Sequence, residues 1–421
     1  MNNLKFKKNE LYVEGISVKS LTKKFITPFY CYSSNTIVQK YKEFEKSLKY
    51  LDKTICYAVK ANPNVAILKM LAKLGAGAEV VSEGELKRAL IAGIHPKKIV
   101  FSGVGKKAEE IIFAIKKNIL QINIESEDEL KMIENIANRL KKKVQIGIRV
   151  NPNIDAETHK KITTGRQEDK FGLNIRMVEK IFKKYKYNQN LDVVGLSVHI
   201  GSQIMSINPF KKTFLKLKKF INKINNKEKI IKVLDLGGGI GINYKNEKAI
   251  AIKDYVKIIL NLCNDLNCKL IVEPGRMLVA ESGILVTKVL FVKKNKKTNF
   301  LVIDAGMNDL MRPALYDAYH EIKNIKNSRG NKKLYTIVGP ICETADTFVK
   351  NILLNKINSE DFLFISNVGA YGSSMSSSYN SRPIIMELMI HKKKLSVIRK
   401  INTVDEQITR ETMPGWINKI K

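Results

Sequence analysis

From residue 54 to residue 275 the chain repeats one unit: a short β-branched strand, a polar or glycine-rich turn, then a helix-like stretch. Strand candidates fall at 54–60, 79–82, 99–103, 121–126, 144–150, 193–200, 233–238 and 269–273, eight in all. Apolar runs such as Val144-Gln145-Ile146-Gly147-Ile148-Arg149-Val150 suit strands covered on both faces. Amphipathic stretches lie between them. One is Glu83-Gly84-Glu85-Leu86-Lys87-Arg88-Ala89-Leu90-Ile91, where Ser82 is placed to cap and Glu85 to complete a capping box. Eight βα units in one run predict an α/β fold, a closed (β/α)8 barrel of the TIM type.

After about residue 282 the texture changes. Leu285–Val292, Phe300–Asp304, Leu334–Val338, Phe362–Val368 and Ile384–Met389 read as strands without long helices between them. Residues 1–30 also read as extended pieces that could pair with this second region. The expected organisation is N-terminal strands over 1–30, a barrel over 31–282 and a C-terminal, β-barrel-like domain over 283–421. A length of 421 residues with 44% hydrophobic content suits such a division. Ser373-Ser374-Met375-Ser376-Ser377-Ser378 is low in complexity and reads equally as a flexible loop or a functional one.

Net charge is +34, which raises the question of nucleic acid. The excess is lysine scattered in small groups such as Lys141-Lys142-Lys143, without a basic motif interleaved by aromatics. That pattern argues for a solvated surface and against a nucleic-acid partner. No run of 18 apolar residues occurs, so no membrane span is expected. Met1-Asn2-Asn3-Leu4-Lys5-Phe6-Lys7-Lys8 lacks the apolar stretch of a secretory signal. Five scattered cysteines favour reduced thiols and a cytoplasmic location.

In a barrel, active sites lie at the carboxyl ends of the strands. Lys60 closes the first candidate strand, on the face it shares with Cys56 and Ala58. Taken alone it reads as a strand-end lysine reaching solvent. The other strand ends change its company. They carry Arg149-Val150-Asn151-Pro152, His199-Ile200-Gly201-Ser202-Gln203, Gly237-Gly238-Gly239-Ile240-Gly241 and Glu273-Pro274-Gly275-Arg276. Each has a structural reading by itself, but together they place an amine, an imidazole, a glycine turn and a carboxylate at one rim. Pyridoxal 5'-phosphate requires that set. Its aldehyde needs a lysine, its phosphate needs backbone N–H groups, and its ring nitrogen needs a carboxylate that keeps it protonated. The glycine run lacks the G-x-G-x-x-G spacing of a dinucleotide site. Cys263 and Cys268 lack a second pair of ligands, so no metal is expected.

The ordered stretches Y-A-V-K-A-N-P-N (57–64), K-F-G-L (170–173), H-I-G-S-Q-I (199–204), L-G-G-G-I-G-I (236–242) and E-P-G-R (273–276) carry a resemblance. So do D-A-G-M-N-D-L-M-R-P-A-L-Y-D-A-Y-H (304–320), G-P-I-C-E-T-A-D (339–346) and G-A-Y-G-S-S-M-S-S-S-Y-N (369–380). The chain resembles the diaminopimelate decarboxylases, members of the alanine-racemase-like (fold-type III) class of pyridoxal-phosphate enzymes.

The resemblance implies decarboxylation of meso-2,6-diaminopimelate to L-lysine and carbon dioxide, the last step of lysine biosynthesis. It implies that Lys60 holds the cofactor as a Schiff base, that His199 covers its ring and that Glu273 pairs with the ring nitrogen. Ser202, Gly238, Gly239 and the backbone around Gly275 and Arg276 would hold the phosphate, and Tyr371 would also reach the cofactor. Arg276, Arg312, Tyr316 and Tyr371 would bind substrate, with Glu343 on its distal amine. Cys342 would return a proton to the carbon that loses carbon dioxide. Family members are homodimers in which Cys342 and Glu343 enter the partner's site. Glu79 departs from the family pattern, which usually has aspartate there.

Two enzyme alternatives share the lysine. A decarboxylase of ornithine, arginine or a carboxylated polyamine meets no distal carboxylate, so the arginines at 276 and 312 weigh against it. A racemase would lack the Cys342-Glu343 and Arg312–Tyr316 segments. A non-catalytic pyridoxal-phosphate carrier would dispense with the C-terminal β domain.

Overall fold

The computed structural model describes residues 3–226, 228–263, 266–295, 298–327 and 330–419, and all eight expected barrel strands form in it. They are β1 (Lys53–Ala58), β2 (Gly77–Val80), β3 (Ile99–Phe101), β4 (Gln121–Ile124), β5 (Val144–Arg149), β6 (Leu191–Ser197), β7 (Val233–Asp235) and β8 (Lys269–Val272). Each pairs in parallel with the next, and β8 closes on β1 through Leu270↔Lys53 and Ile271↔Thr54. The helices that follow these strands are α1 (Val65–Lys73), α2 (Glu83–Ile91), α3 (Ala108–Lys116), α4 (Glu127–Arg139), α5 (Ile175–Lys184), α6 (Asn208–Ile224), α7 (Ile252–Cys263) and the short α8 (Arg276–Val279).

Helix starts follow local chemistry. Ser82 Oγ accepts from the Glu85 N–H at 3.2 Å, as the sequence predicts. The Glu85 carboxylate, however, reaches back to the Val81 N–H at 2.9 Å, one residue before the cap. Ser126 and Glu129 repeat this arrangement at α4, with Glu129 accepting from Glu125 N–H at 2.8 Å. Helix α4 then buries Leu130, Ile133, Ile136 and Ala137 on one stripe. Each of the larger three contributes about 1.5–3 kcal/mol by burial. Inside the barrel, Cys56, Val100, Val194, Val233 and Ile271 form one apolar cluster.

Strand ends differ from the sequence reading where function resides. β1 stops at Ala58, and Val59–Ala61 form a single 3₁₀ turn. The alternation that placed Lys60 on the face of Cys56 and Ala58 therefore does not extend to it. The Ala58 N–H is taken by the Pro274 carbonyl at 3.2 Å. His199 and Gly237–Gly239 likewise lie in the turns just past β6 and β7.

The chain divides into two compact units, residues 37–280 and residues 1–36 with 281–421. The second unit holds a nine-stranded, mainly antiparallel sheet. Gly283–Lys294 is its spine: its first half pairs with Phe29–Ser33 and Phe362–Ile365, its second half with Asn299–Ile303. The N-terminal strand in this sheet is Phe29–Ser33, which overlaps the expected 1–30 only at Phe29 and Tyr30. Leu4–Lys7, Glu10–Val13 and Ile16–Ser17 form a small sheet of their own. Leu11, Val13, Val18, Phe29, Ile284, Val286 and Leu388 belong to one core cluster. Thr347–Asn355 and Lys394–Arg399 are strands with no counterpart in the sequence reading. Both alternate weakly because neither face is consistently buried.

Candidate active site

The barrel rim collects the expected groups. Lys60 Nζ lies 2.8 and 3.0 Å from the two carboxylate oxygens of Glu79, at the end of β2. The lysine side chain is 36% exposed and the glutamate only 1%, so the charge pair is reached from one side. Gly275 packs directly on this turn, because a Cβ there would stand 3.1 Å from both Ala58 Cβ and Ala61 Cβ.

His199 is buried, and Nδ1 accepts from the Gly238 N–H at 3.2 Å. Burial, then the nearby charges of Arg149 and Lys60, push its pKa well below the usual value, so the ring is neutral at physiological pH. Arg149 donates to the His199 carbonyl at 3.4 Å and pairs with Glu125 at 2.7 Å. The K-F-G-L stretch supports this pair: Phe171 lies 4.6 Å from the Arg149 guanidinium carbon, and the Gly172 N–H donates to Glu125 at 2.8 Å. The sequence offered Arg149 at a strand end but no sign of this brace.

The glycine turn has no room for side chains. A Cβ on Gly238 would lie 2.1 Å from the Glu273 carbonyl oxygen. Gly239 has φ +108, and a Cβ there would meet the Gly201 carbonyl at 2.4 Å. Arg276 donates to Ser202 Oγ at 3.0 Å and to the Tyr244 hydroxyl at 2.9 Å. Glu273 is buried, and its Oε1 has no hydrogen-bond partner. Burial first, then the charges of Asp235 and Glu79, push its pKa well above the usual carboxyl range.

These features fit pyridoxal phosphate. An amine stands at the rim, a closed backbone cradle with an adjoining serine and arginine suits a phosphate, a neutral imidazole lies beside that cradle, and a buried carboxyl oxygen lacks a partner. Among the described residues, no cluster of His, Cys, Asp or Glu is arranged for a metal, and no helix is long and apolar enough to cross a membrane.

The remaining candidates belong to the second unit. Arg312 opens the short helix Arg312–Tyr316 and is buried. His320 Nε2 lies 2.7 Å from Arg312 Nη1, and His320 Nδ1 lies 2.9 Å from the Ser366 carbonyl. Since the carbonyl can only accept, Nδ1 carries the proton and Nε2 accepts from the arginine. His320 orients Arg312, a role that its place in the 304–320 stretch does not reveal. Tyr316 is half-buried on the same helix. Cys342 and Glu343 are exposed on one loop. The Cys342 N–H donates to Asn380 Oδ1 at 3.1 Å, and Tyr379 hydrogen-bonds Glu343. Tyr371, two residues before the serine-rich segment, has φ +56. That segment is partly pinned, because Ser373 Oγ donates to buried Glu387 at 2.9 Å. All five cysteines are free thiols.

Comparison with known proteins gives consistent matches. The family of pyridoxal-dependent decarboxylases, in its pyridoxal-binding domain, matches residues 34–280. The diaminopimelate decarboxylase of Aquifex aeolicus is 42% identical over 403 residues, covering 96% of each chain. The crystal structure of diaminopimelate decarboxylase from Helicobacter pylori complexed with L-lysine is similar at TM-score 0.91 and 44% identity, covering 93% of this chain and 98% of that one. The diaminopimelate decarboxylase from M. jannaschii, in co-complex with L-lysine, matches at TM-score 0.93 and 38% identity over 98% of both chains.

Proposed function

This chain belongs to the diaminopimelate decarboxylase family, and we propose that it works by holding pyridoxal phosphate on Lys60 while Cys342 supplies the returning proton. The reaction is the pyridoxal-phosphate-dependent decarboxylation of meso-2,6-diaminopimelate to L-lysine, which ends lysine biosynthesis. The cofactor would be held through its aldehyde on Lys60 at rest and, once Lys60 has released it to the substrate's α-amine, would supply an electron sink for the bond to the departing carboxylate.

The chain's own groups do the rest. Gly238, Gly239, Ser202 and the backbone around Gly275 and Arg276 bind the phosphate, and Tyr371 helps to hold the cofactor. Neutral His199 would cover the ring without adding a competing positive charge. Glu273 Oε1, buried without a partner, would pair with the ring nitrogen and keep a proton there. Arg276, Arg312 and Tyr316 grip the distal carboxylate, with Tyr371 alongside, and Glu343 takes the distal amine. Cys342 Sγ passes its proton to the substrate α-carbon after carbon dioxide leaves.

The observation that carries the substrate choice is the buried Arg312, fixed in orientation by His320. A preoriented guanidinium matches a carboxylate, which diaminopimelate has at its far end and ornithine and arginine do not. Residues 31–282 would bind the cofactor and contribute Arg276 to the substrate, while 283–421, packed with the N-terminal strands of 1–30, would supply Tyr371 and the other substrate groups. Cys342 and Glu343 are exposed on a single chain, which supports a homodimer that shares them across its interface. The enzyme is expected in the cytoplasm, which its five free thiols support.

The test is carbon dioxide release from meso-diaminopimelate, ornithine and arginine in parallel. Turnover confined to diaminopimelate is expected, and no turnover of it refutes the substrate reading. Cys342→Ala should lower turnover by roughly 10²–10⁴-fold while the visible absorbance of the bound cofactor persists. Unchanged turnover would remove Cys342 from the reaction.

A further inference from the structure

The barrel interior contains a polar column that the reaction described above does not use. Gln145 Nε2 donates to Gln121 Oε1 at 3.0 Å, Gln121 Nε2 to Asn123 Oδ1 at 2.7 Å, and Asn123 Nδ2 to Asp235 Oδ2 at 2.9 Å. Two glycines on neighbouring strands make room for it. A Cβ on Gly147 would lie 2.2 Å from Asn123 Oδ1, and one on Gly195 would lie 2.6 Å from Gln121 Oε1. Every donor in the column points toward Asp235.

Asp235 is fully buried and accepts twice more, from the Gly237 N–H at 3.0 Å on Oδ1 and from Ser197 Oγ at 3.4 Å on Oδ2. A backbone N–H can only donate, so Oδ1 is an acceptor whichever way the amides are turned. Asp235 is therefore solvated by the protein as a carboxylate. Its remaining neighbour is Glu273, to which it is hydrogen-bonded. Two carboxyl groups can share a hydrogen bond only if one proton lies between them, and the donors around Asp235 leave Glu273 as its holder.

We propose that Asp235 and Glu273 form one buried dyad that shares a single proton, with Asp235 as the positioning residue that sets the charge Glu273 offers to the cofactor's ring nitrogen. This rests on the cofactor reading above and deepens it. A dyad with one proton carries one negative charge, which one protonated ring nitrogen balances. When Glu273 Oε1 takes up that N–H, the shared proton shifts toward Asp235, and none is gained from or lost to solvent.

The surroundings are consistent with this charge state. Glu79 on β2 adds a like charge, and Lys60 opposes it while paired to that same Glu79. Cys56 on β1 and Tyr255 on α7 are buried with raised pKa values and stay neutral. His199 past β6 is neutral, and Arg149 on β5 is spent on Glu125.

Infrared spectroscopy of the full-length protein, with and without cofactor, reads the proton directly through the carbonyl stretch of a protonated carboxyl. The measurement belongs at mildly alkaline pH, where Glu85 and Asp309, both pushed up to about 7, have ionised. The band should be present in both forms and absent in Glu273→Gln. In Asp235→Asn its titration midpoint should fall by about 1–3 pH units, because the like charge is gone. Should that variant not fold, Asn123→Leu reads the same coupling with the opposite sign. It strips a donor from Asp235, and the midpoint rises. No band in the wild type, a band that survives Glu273→Gln, or a midpoint indifferent to the Asp235 or Asn123 change overturns the dyad. Visible absorbance of the same samples reports the cofactor separately, so loss of the cofactor reading would leave the infrared result standing.

Discussion

Replacing Lys60 by methionine keeps the stem of the side chain and removes its amine. In the resting protein that amine lies 2.8 Å from Glu79, whose side chain is 1% exposed. At that separation and an effective dielectric constant of about 20, the attraction is roughly 6 kcal/mol before desolvation. The lysine is 36% exposed, so screening and side-chain entropy reduce the net effect. Loss of the cation should cost about 2–3 kcal/mol, chiefly because a buried carboxylate is stranded. Spread over a unit spanning residues 37–280, that lowers the unfolding midpoint by roughly 5–10 °C. The assay is thermal unfolding of cofactor-free wild type, Lys60→Met, Glu79→Gln and the double variant at neutral pH. The double variant should recover most of the loss, since no charge remains to be stranded. A double variant as unstable as Lys60→Met alone, or a Lys60→Met protein as stable as wild type, would refute the argument that Glu79 holds the resting amine.

Gly238→Ala would place a methyl 2.1 Å from the Glu273 carbonyl oxygen, so the turn must move off its phosphate-binding geometry. Titration of cofactor-free protein with pyridoxal phosphate should then show affinity lower by roughly 100-fold, about 2.7 kcal/mol. His320→Ala should raise KM for diaminopimelate roughly tenfold with a smaller change in kcat, because Arg312 loses a charge-assisted hydrogen bond worth about 1.5 kcal/mol. An equal fall in both parameters would mean that His320 does more than orient Arg312. Glu85 is pushed from 4.5 up to about 7, first by burial and then by the charge of Glu79. The folded state therefore keeps a proton that the unfolded chain has lost, so stability falls as pH rises between those two values. Glu85→Gln retains an acceptor for the Val81 N–H. Its stability gain over wild type should grow across that window to about 3 kcal/mol at most, measured by denaturant unfolding at acid and mildly alkaline pH. A gain that is flat with pH would refute the shift.

Much of this molecule is legible in its primary structure. Periodicity predicts eight strands and their helices because each barrel strand must be apolar on both faces and each outer helix on one stripe. That constraint is local and repeats. Lys60, His199, the glycine turn and Glu273 stand out because they interrupt those patterns at the same end of four of the units. The edge strands Thr347–Asn355 and Lys394–Arg399 do not stand out, since strands with little consistent burial carry no periodic signature.

Pairings across space are another matter. Lys60 reads from sequence as the end of a strand, yet tertiary structure turns the chain at Ala58 and sets its amine on Glu79, 19 residues away. Asp235 looks like one acid in the apolar strand Val233-Leu234-Asp235. It gains chemical meaning only where barrel closure brings Asn123 and Glu273 against it. Arg312 reads as one arginine until His320 and the Ser366 carbonyl give it a direction. The sequence determines which groups are present and at which end of the barrel they stand, because periodicity is a property of neighbours along the chain. Charge state and orientation are decided by closure, because burial and hydrogen bonds come from residues that the chain alone does not place side by side.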